Sequence, residues 1–408
     1  MNVIGLFDSV GRDLRYALRG LPRRPTFAVA AVLTLALGIG ATTAIFSVVY
    51  SVLIKPLPYP NADELVRIRH PAAGINADDL TTSTTMYLTY RNENRTFAEI
   101  GLWQEGDQTL TGLGEPERLR ALRVTHGTLQ ALGVQPMRGR WFTGQEHGPS
   151  AEGPEPVILS YAFWQRRFGG DEAALGRELS IDSRAAQVVG IMPRDFRFLD
   201  RTPQPDVIVA VRLDPAEQLI GAFDFQALAR LEPGVTPAAA RADVERMLPI
   251  WLDAWPIMPG VTVTREAIAN WRISPVVQPL KDDLVGGVAG MLWVLMGAIV
   301  AVLLIACANI ANLMLVRADG RQQEFAIRAA LGAVPARIAR ELLVESLVLG
   351  AAGGALGLAF AYLGLTVLVA IGPTNLPRLQ EIAIDPLVLA FTVTVSLAST
   401  LVFGSITA

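Results

Sequence analysis

Charge is what this chain lacks over long stretches: Thr26 to Ile54, Leu284 to Val316, Ser346 to Pro377 and Pro386 to Ala408 hold no Asp, Glu, Lys or Arg. At about 1.5 Å of rise per helical residue, each stretch reaches across a hydrocarbon layer of about 30 Å. A wholly water-soluble chain is therefore excluded, and four membrane crossings are expected. Lysine is nearly missing as well, occurring only at Lys55 and Lys281. A phosphate-cradling Walker loop ends in Gly-Lys-Ser/Thr. Lys55 follows Ile54 and Lys281 follows Leu280, so these residues contain no such loop, and ATP hydrolysis is expected in a separate subunit. The single cysteine, Cys307, lies inside the second charge-free stretch, which rules out an intramolecular disulfide. The three histidines, His70, His126 and His147, have no Cys or His partner at ligand spacing, so they read as ordinary loop or surface residues rather than a zinc site. No G-x-S-x-G or H-E-x-x-H occurs. No catalytic residue, cofactor or metal ligand is assigned, and a net charge of −3 gives no ground for nucleic acid as a partner.

What is present fits a lipid bilayer as the surrounding medium: 51% of residues are hydrophobic, high for a soluble protein, and 18% are charged, which is low. One span comes first, then a long charge-bearing region, then three spans crowded together. The expected fold is an α-helical membrane protein with four transmembrane helices (1 + 3) and a large mixed α/β extracytoplasmic domain between helices 1 and 2. Arginine sets the orientation. Arg12, Arg15, Arg19, Arg23 and Arg24 precede the first span, and Arg317, Arg321, Arg328, Arg337 and Arg340 follow the second. Both segments are expected in the cytoplasm, and the two crossings between them close the topology. The resulting division is a cytoplasmic amphipathic helix over 1–25, spans over 26–54, 288–316, 342–371 and 387–408, an extracytoplasmic domain over 55–287, a cytoplasmic loop over 317–341 and a short outer loop over 372–386.

The first 25 residues place Leu6, Phe7, Val10, Leu14, Ala17, Leu18 and Leu21 at helical spacing with arginines between them, the pattern of a helix lying on the inner membrane surface. The apolar run after it is too long for a cleaved signal and reads as an uncleaved anchor. Within the spans small residues recur at close-packing intervals: Ala36, Gly40 and Ala44 on the first, and Gly350 and Gly354, overlapped by Gly353 and Gly357, on the third. Asn309 and Asn312 could hydrogen-bond to neighbouring helices or lie as interfacial polar groups. No charged residue falls near a midplane, so an ion or proton path is not expected. Trp293 reads as an outer-interface anchor, leaving Leu284 to Leu292 as a helical stalk.

In the extracytoplasmic region, Pro156–Ser160, Ala186–Ile191 and Asp206–Val211 are short β-branched runs bounded by Pro or Gly, and Tyr161–Phe168 and Asp171–Leu175 read as helical. Gln226–Leu231, a Pro-Gly turn, Thr236 as N-cap and Pro237 at the first helical position make a strand-turn-helix unit with a helix over Ala238–Met247. A small α/β sandwich in two lobes is expected. Trp103, Trp141, Trp164, Trp251, Trp255 and Trp271 read as core contacts.

The cytoplasmic loop runs Arg317-Ala-Asp-Gly-Arg-Gln-Gln-Glu-Phe-Ala-Ile-Arg-Ala-Ala-Leu-Gly332, a short helix with a glycine stop before Pro335 restarts a helix. Phe325, Ile327 and Leu331 supply apolar anchors, and Arg321, Glu324 and Arg328 supply polar handles. It either floats at the interface or docks in a groove on a cytoplasmic partner.

The runs Leu304–Arg317, Arg321–Ala333 and Arg340–Ser346 resemble the FtsX/MacB-type ABC transporter permease domain, over 288–408. The run Leu33–Val49 and Lys55-Pro-Leu-Pro-Tyr-Pro60 resemble the opening of its MacB-like periplasmic core domain, as in the duplicated permeases of acidobacterial type. The resemblance implies a multi-pass protein of the bacterial inner membrane with its N-terminus cytoplasmic and its large domain periplasmic. Its partners would be a separate ABC-type ATPase, a second permease copy or sibling permease and, for export, a periplasmic adaptor. ATPase work would pass mechanically through a coupling helix at Arg321, Glu324, Phe325, Ile327, Arg328, Leu331 and Gly332. Export or efflux is one expected outcome; control of a periplasmic partner such as a cell-wall hydrolase is the other. The chain carries one copy of the unit and no fused ATPase, and it reads as a truncated product or half of a longer one.

Overall fold

The computed structural model describes residues 25–112, 114–149, 153–199, 203–257, 264–319, 335–372 and 376–407. The chain divides into two compact units, one formed by the N-terminal segment through Lys55 together with Gly287–Ala408, the other by Pro56–Gly286. The amphipathic arm over 1–25 and the coupling segment over 321–332 fall outside the described residues, save Pro25 at the head of the first helix.

The Pro56–Gly286 unit is built on a mixed sheet of twelve strands: β1 (Leu65–Ala72), β2 (Ala77–Leu80), β3 (Thr82–Ser83), β4 (Phe97–Thr111), β5 (Glu117–Val124), β6 (Arg138–Gly139), β7 (Glu155–Leu159), β8 (Glu178–Ile181), β9 (Arg184–Ile191), β10 (Val207–Ala210), β11 (Phe223–Leu231) and β12 (Val276–Pro279). Their main order is β12-β1-β11-β4-β5-β10-β7-β9-β6, with β2 on β1, β3 on β11 and β8 spanning β4 and β9. The pairs β5/β10 and β7/β9 are parallel. β10 lies between β5 and β7 and is buried along its whole length, which is why Val207-Ile-Val-Ala210 is a continuous apolar run rather than an alternating one.

Two sets of helices cover this sheet, which runs through one compact unit. In one, α2 (Thr84–Glu93) and α5 (Pro237–Ala254) pack Met86, Tyr87, Tyr90, Val244, Met247 and Trp251 against β1, β4 and β11; α1 is the membrane helix described below. Ser83 caps α2 by accepting from Met86 N at 3.2 Å, and Thr236 caps α5 by accepting from Ala239 N at 3.2 Å. α5 runs to Ala254 rather than ending at Met247. It passes through Pro249, whose ring faces solvent, so water can satisfy the carbonyl that loses its partner while Trp251 stays in the core. Trp251 Nε1 donates to Thr85 Oγ1 at 2.9 Å and Trp255 Nε1 to Thr89 Oγ1 at 2.8 Å, fixing the two helices together. The short α3 (Thr128–Leu132) sits under β4. In the other set, α4 (Tyr161–Phe168) buries Phe163 and Trp164 against β7, β9 and β10, with Ser160 as its cap. The expected helix at Asp171–Leu175 is a single 3-10 turn, Glu172–Ala174. A short α6 (Arg265–Ala269) precedes β12.

His126 lies in a turn, as read, whereas His70 and His147 depart from their reading as loop or surface residues by being buried. His70 is fully buried on β1, its Nε2 2.9 Å from Tyr90 Oη, and His147 is buried with its ring 5.7 Å from that of His126. Among the described residues no group of three or more His, Cys, Asp or Glu could hold a metal ion. Burial, with Arg67 nearby as a second cause, pushes His70 down to about 4. The unfolded chain binds this proton near 6.5 and the folded one resists it. The stabilising contribution is therefore fully present above about pH 6.5 and is lost as pH falls toward 4, about 3 kcal/mol from His70 alone. Acidifying the detergent-solubilised chain over that window should lower the midpoint of tryptophan-monitored unfolding, and His70→Gln should flatten the dependence. An equally steep profile in the variant would assign it to other groups.

Candidate functional site in the membrane helices

Among the described residues, four helices are long and apolar enough to cross a membrane: Pro25–Ile54, Leu280–Val316, Leu343–Ile371 and Pro386–Ser405. The first is α1 (Pro25–Val49) continued by a π-helical turn, Tyr50–Ile54; the others belong to α7 (Leu280–Asp319), α8 (Pro335–Ile371) and α9 (Pro386–Thr407). With no hydrophobic drive between helices in lipid, their association depends on close backbone approach and on polar pairs.

The overlapping glycine stripes of α8 serve two different neighbours. Gly353 and Gly357 face α1. A Cβ placed on Gly357 would lie 2.9 Å from Ala36 O and 3.0 Å from Gly40 N, and one placed on Gly40 would lie 2.8 Å from Gly357 O. Gly350 and Gly354 face α9, where added carbons would run into Thr400 and Ser396. α8 is thereby held at backbone distance on its α1 side and against the small side chains of Thr400 and Ser396 on its α9 side. α1 and α9 also meet directly, through Thr43 Oγ1 and Thr392 Oγ1 at 3.1 Å and through the stacked rings of Phe46 and Phe391 at 3.8 Å. Ala36 and Gly40 are buried and Ala44 half-buried, so the stripe on α1 faces its neighbours most fully at its first two positions.

α7 uses a narrower seam. Leu303, Cys307, Ile310 and Met314, at spacings of three and four, pack with Leu35 and Ile39 of α1, and a Cβ on Gly38 would meet Leu303 Cδ1 at 3.0 Å. Asn309 and Asn312, expected among the packing residues, are exposed instead, because they fall off this seam. Trp293 is exposed too. The first turn of α7 belongs to the Pro56–Gly286 unit and is tied to its sheet. Asp283 pairs with Arg67 Nε and Arg69 Nη1, both at 3.7 Å, and accepts from Gln278 Nε2 at 2.7 Å, while Leu280 is buried in the core under β4 and β11. The expected stalk over Leu284–Leu292 is part of one continuous helix, whose 40 residues extend about 60 Å.

A residue that sequence reading missed closes the other end of α1. Arg378 lies between α8 and α9 and is fully buried, with its backbone left-handed at φ 59°. Its Nη1 donates to Lys55 O at 2.6 Å and Val52 O at 3.4 Å, and its Nη2 donates to Glu381 Oε2 at 2.7 Å. One guanidinium thus satisfies carbonyls left open at the helix end, the part a C-cap normally plays. The signal was a basic residue in the short connection between two spans, three positions before Glu381; spacing alone could not show that it folds back onto α1. The seven proposed coupling residues, Arg321, Glu324, Phe325, Ile327, Arg328, Leu331 and Gly332, lie outside the described residues.

Comparison with known proteins agrees with this architecture. Residues 28–247 match the MacB-like periplasmic core domain and residues 296–408 the FtsX-like permease C-terminal domain. The macrolide export ATP-binding/permease protein MacB of Wolinella succinogenes is 25% identical over 261 residues, 64% of this chain and 38% of that protein. MacB of an Azoarcus species is 35% identical over 123 residues, 30% of this chain and 18% of that protein. The chain thus spans well under half the length of these relatives. Among solved structures, the periplasmic region of MacB from Actinobacillus actinomycetemcomitans aligns with a TM-score of 0.38 and 8% identity, covering 56% of this chain and 93% of that one. A permease domain from Porphyromonas gingivalis aligns at 0.38 and 17% identity, covering 54% and 92%.

Proposed function

The chain belongs to the FtsX/MacB-type family of ABC transporter permeases, and from that premise we propose that it carries the work of a separate ATPase mechanically across the inner membrane to its own periplasmic domain. The observation that carries this reading is α7: a single helix whose first turn is fixed to the sheet by Asp283 and whose other end reaches Asp319, next to the coupling segment. A rigid helix transmits displacement along its axis, whereas a flexible linker would absorb it. The close packing of α8 on α1 supports the same reading, since backbones in contact move together. The described spans offer no charged residue at their centres, so movement of the periplasmic domain, rather than passage of a solute between these helices, is the output.

In this reading the arginines flanking the first two spans hold the N-terminus and the 317–341 loop in the cytoplasm. The ATPase docks on the segment from Arg321 to Leu331, with Phe325 and Ile327 as its apolar anchors and Gly332 as its stop. A second permease, identical or related, completes a two-fold assembly, and export is the output.

Affinity capture of the chain from its own cells should recover a P-loop ATPase. Phe325→Asp combined with Ile327→Asp should reduce that recovery at least about tenfold while leaving membrane insertion unchanged, as expected when two anchors of one interface are lost. Undiminished capture by the double variant would contradict the docking assignment. A periplasmic adaptor in the captured set supports export, and a cell-wall hydrolase or its activator would replace export by control of that partner.

A further inference from the structure

The periplasmic unit carries a polar cleft of about 440 Å³ that plays no part in the relay above. Its walls are the end of α2 with Arg91 and Asn94, the start of β4 with Glu99, and the loops bearing His126 and Gly144. Two opposite charges therefore line one cavity, yet they do not meet. Arg91 is exposed; its guanidinium lies 5.9 Å from the Tyr87 ring centroid, and its Nη1 donates to Tyr87 Oη at 3.5 Å. It forms no ion pair with any described residue. Glu99 is half-buried, with Oε2 beside Gly127, and forms neither an ion pair nor a side-chain hydrogen bond among the described residues. Elsewhere on the same domain such neighbours close on one another, as Arg140 does with Glu146 at 2.8 Å and Arg166 with Glu117 at 3.2 Å.

His126 adds a third uncommitted group. Its Nδ1 is buried without a hydrogen-bond partner, and burial together with Arg91 holds the ring below the ordinary histidine range, so it is neutral at pH 7. Burial also raises the Glu99 carboxyl above the ordinary carboxylate range, so a cation beside it would relieve an existing cost. A simple anion drawn to Arg91 would be repelled by Glu99, and a simple cation drawn to Glu99 would be repelled by Arg91. A molecule carrying both charges satisfies both walls, and the cleft is within the size range of small-ligand sites.

We propose that this cleft binds a small zwitterion of the class of free amino acids and short peptides, with its carboxylate on Arg91 and its ammonium group on Glu99. The proposal is independent of ATPase docking. It is tested on the full chain in detergent by ligand-observed NMR with three probes: trialanine, N-acetyl-trialanine and trialanine amide. Trialanine should bind saturably, and each blocked peptide should bind at least about tenfold more weakly. Arg91→Gln should abolish the distinction between trialanine and its amide, and Glu99→Gln that between trialanine and its N-acetyl form. Both side chains reach solvent, so these substitutions leave the core intact, and an unchanged unfolding midpoint verifies this. Equal binding of all three peptides, no saturable binding of trialanine up to about 10 mM, or variants that keep the wild-type discrimination would each overturn the proposal.

Discussion

Gly357→Leu is expected to separate α8 from α1. A Cβ alone would sit 2.9 Å from Ala36 O and 3.0 Å from Gly40 N, and three further carbons have no space between two backbones already in contact. Overpacking of this kind costs about 3 kcal/mol, and here the obstruction is main chain, which cannot rotate away. The solubilised variant should unfold at a markedly lower temperature and give little monodisperse protein. Gly364→Leu, on the same helix, is the control: its added carbon meets nothing within 4 Å, so its effect should stay within about 1 kcal/mol. Equal behaviour of the two variants would mean that the α1–α8 contact does not hold the membrane unit together.

The second large effect is expected at Arg378. Replacing it by methionine leaves Glu381 without its partner and the Lys55 and Val52 carbonyls without their donor, a loss of about 3 kcal/mol for a broken buried pair. Arg378→Gly separates this from backbone strain. The left-handed φ of 59° costs a non-glycine residue about 1 kcal/mol, so glycine relieves strain while removing the guanidinium. Thermal unfolding should show both variants destabilised, with glycine the milder. A glycine variant more stable than the parent by the full strain relief of about 1 kcal/mol would show that the guanidinium contributes nothing.

The parts of this molecule that were legible in sequence are those governed by one local rule. Missing charge marked the spans because burial of even one ion in hydrocarbon is prohibitive. α4 begins at Tyr161 and ends at Phe168 as read, since Ser160 caps one end and Gly169 terminates the other. Val207–Ala210 announced itself through β-branched residues buried on both faces. β4 was not legible. Its middle, Gln104-Glu-Gly-Asp-Gln108, has the composition of a turn, yet it pairs with β5 residue by residue from Trp103 to Leu110. Cross-strand partners on the next strand, β5, supply the hydrogen bonds there, and they override the turn-like composition.

The same division holds at the candidate site. Gly350, Gly353, Gly354 and Gly357 were visible as stripes, but which helix each stripe faces depends on the third dimension. Asn309 and Asn312 were read by residue type, whereas their place off the α7 seam follows from helical phase. Arg378 was silent because the carbonyls it caps lie more than 300 residues earlier in the chain.

The central claim is that ATP-driven movement reaches the periplasmic domain through a rigid α7. The most direct test places one dye on the exposed Arg118 of β5, as Arg118→Cys, and another on the exposed Ala383 between α8 and α9, as Ala383→Cys; the native Cys307 is buried and takes up little dye. Energy transfer between the dyes is then followed in the complex with the ATPase. The account predicts that ATP shifts the transfer efficiency and that hydrolysis returns it. It also predicts that Gly290→Pro, which breaks the helix where an added carbon meets nothing within 4 Å, abolishes the shift while ATP is still hydrolysed. ATP turnover without any change in transfer, or an undiminished change in the Gly290→Pro variant, would contradict it.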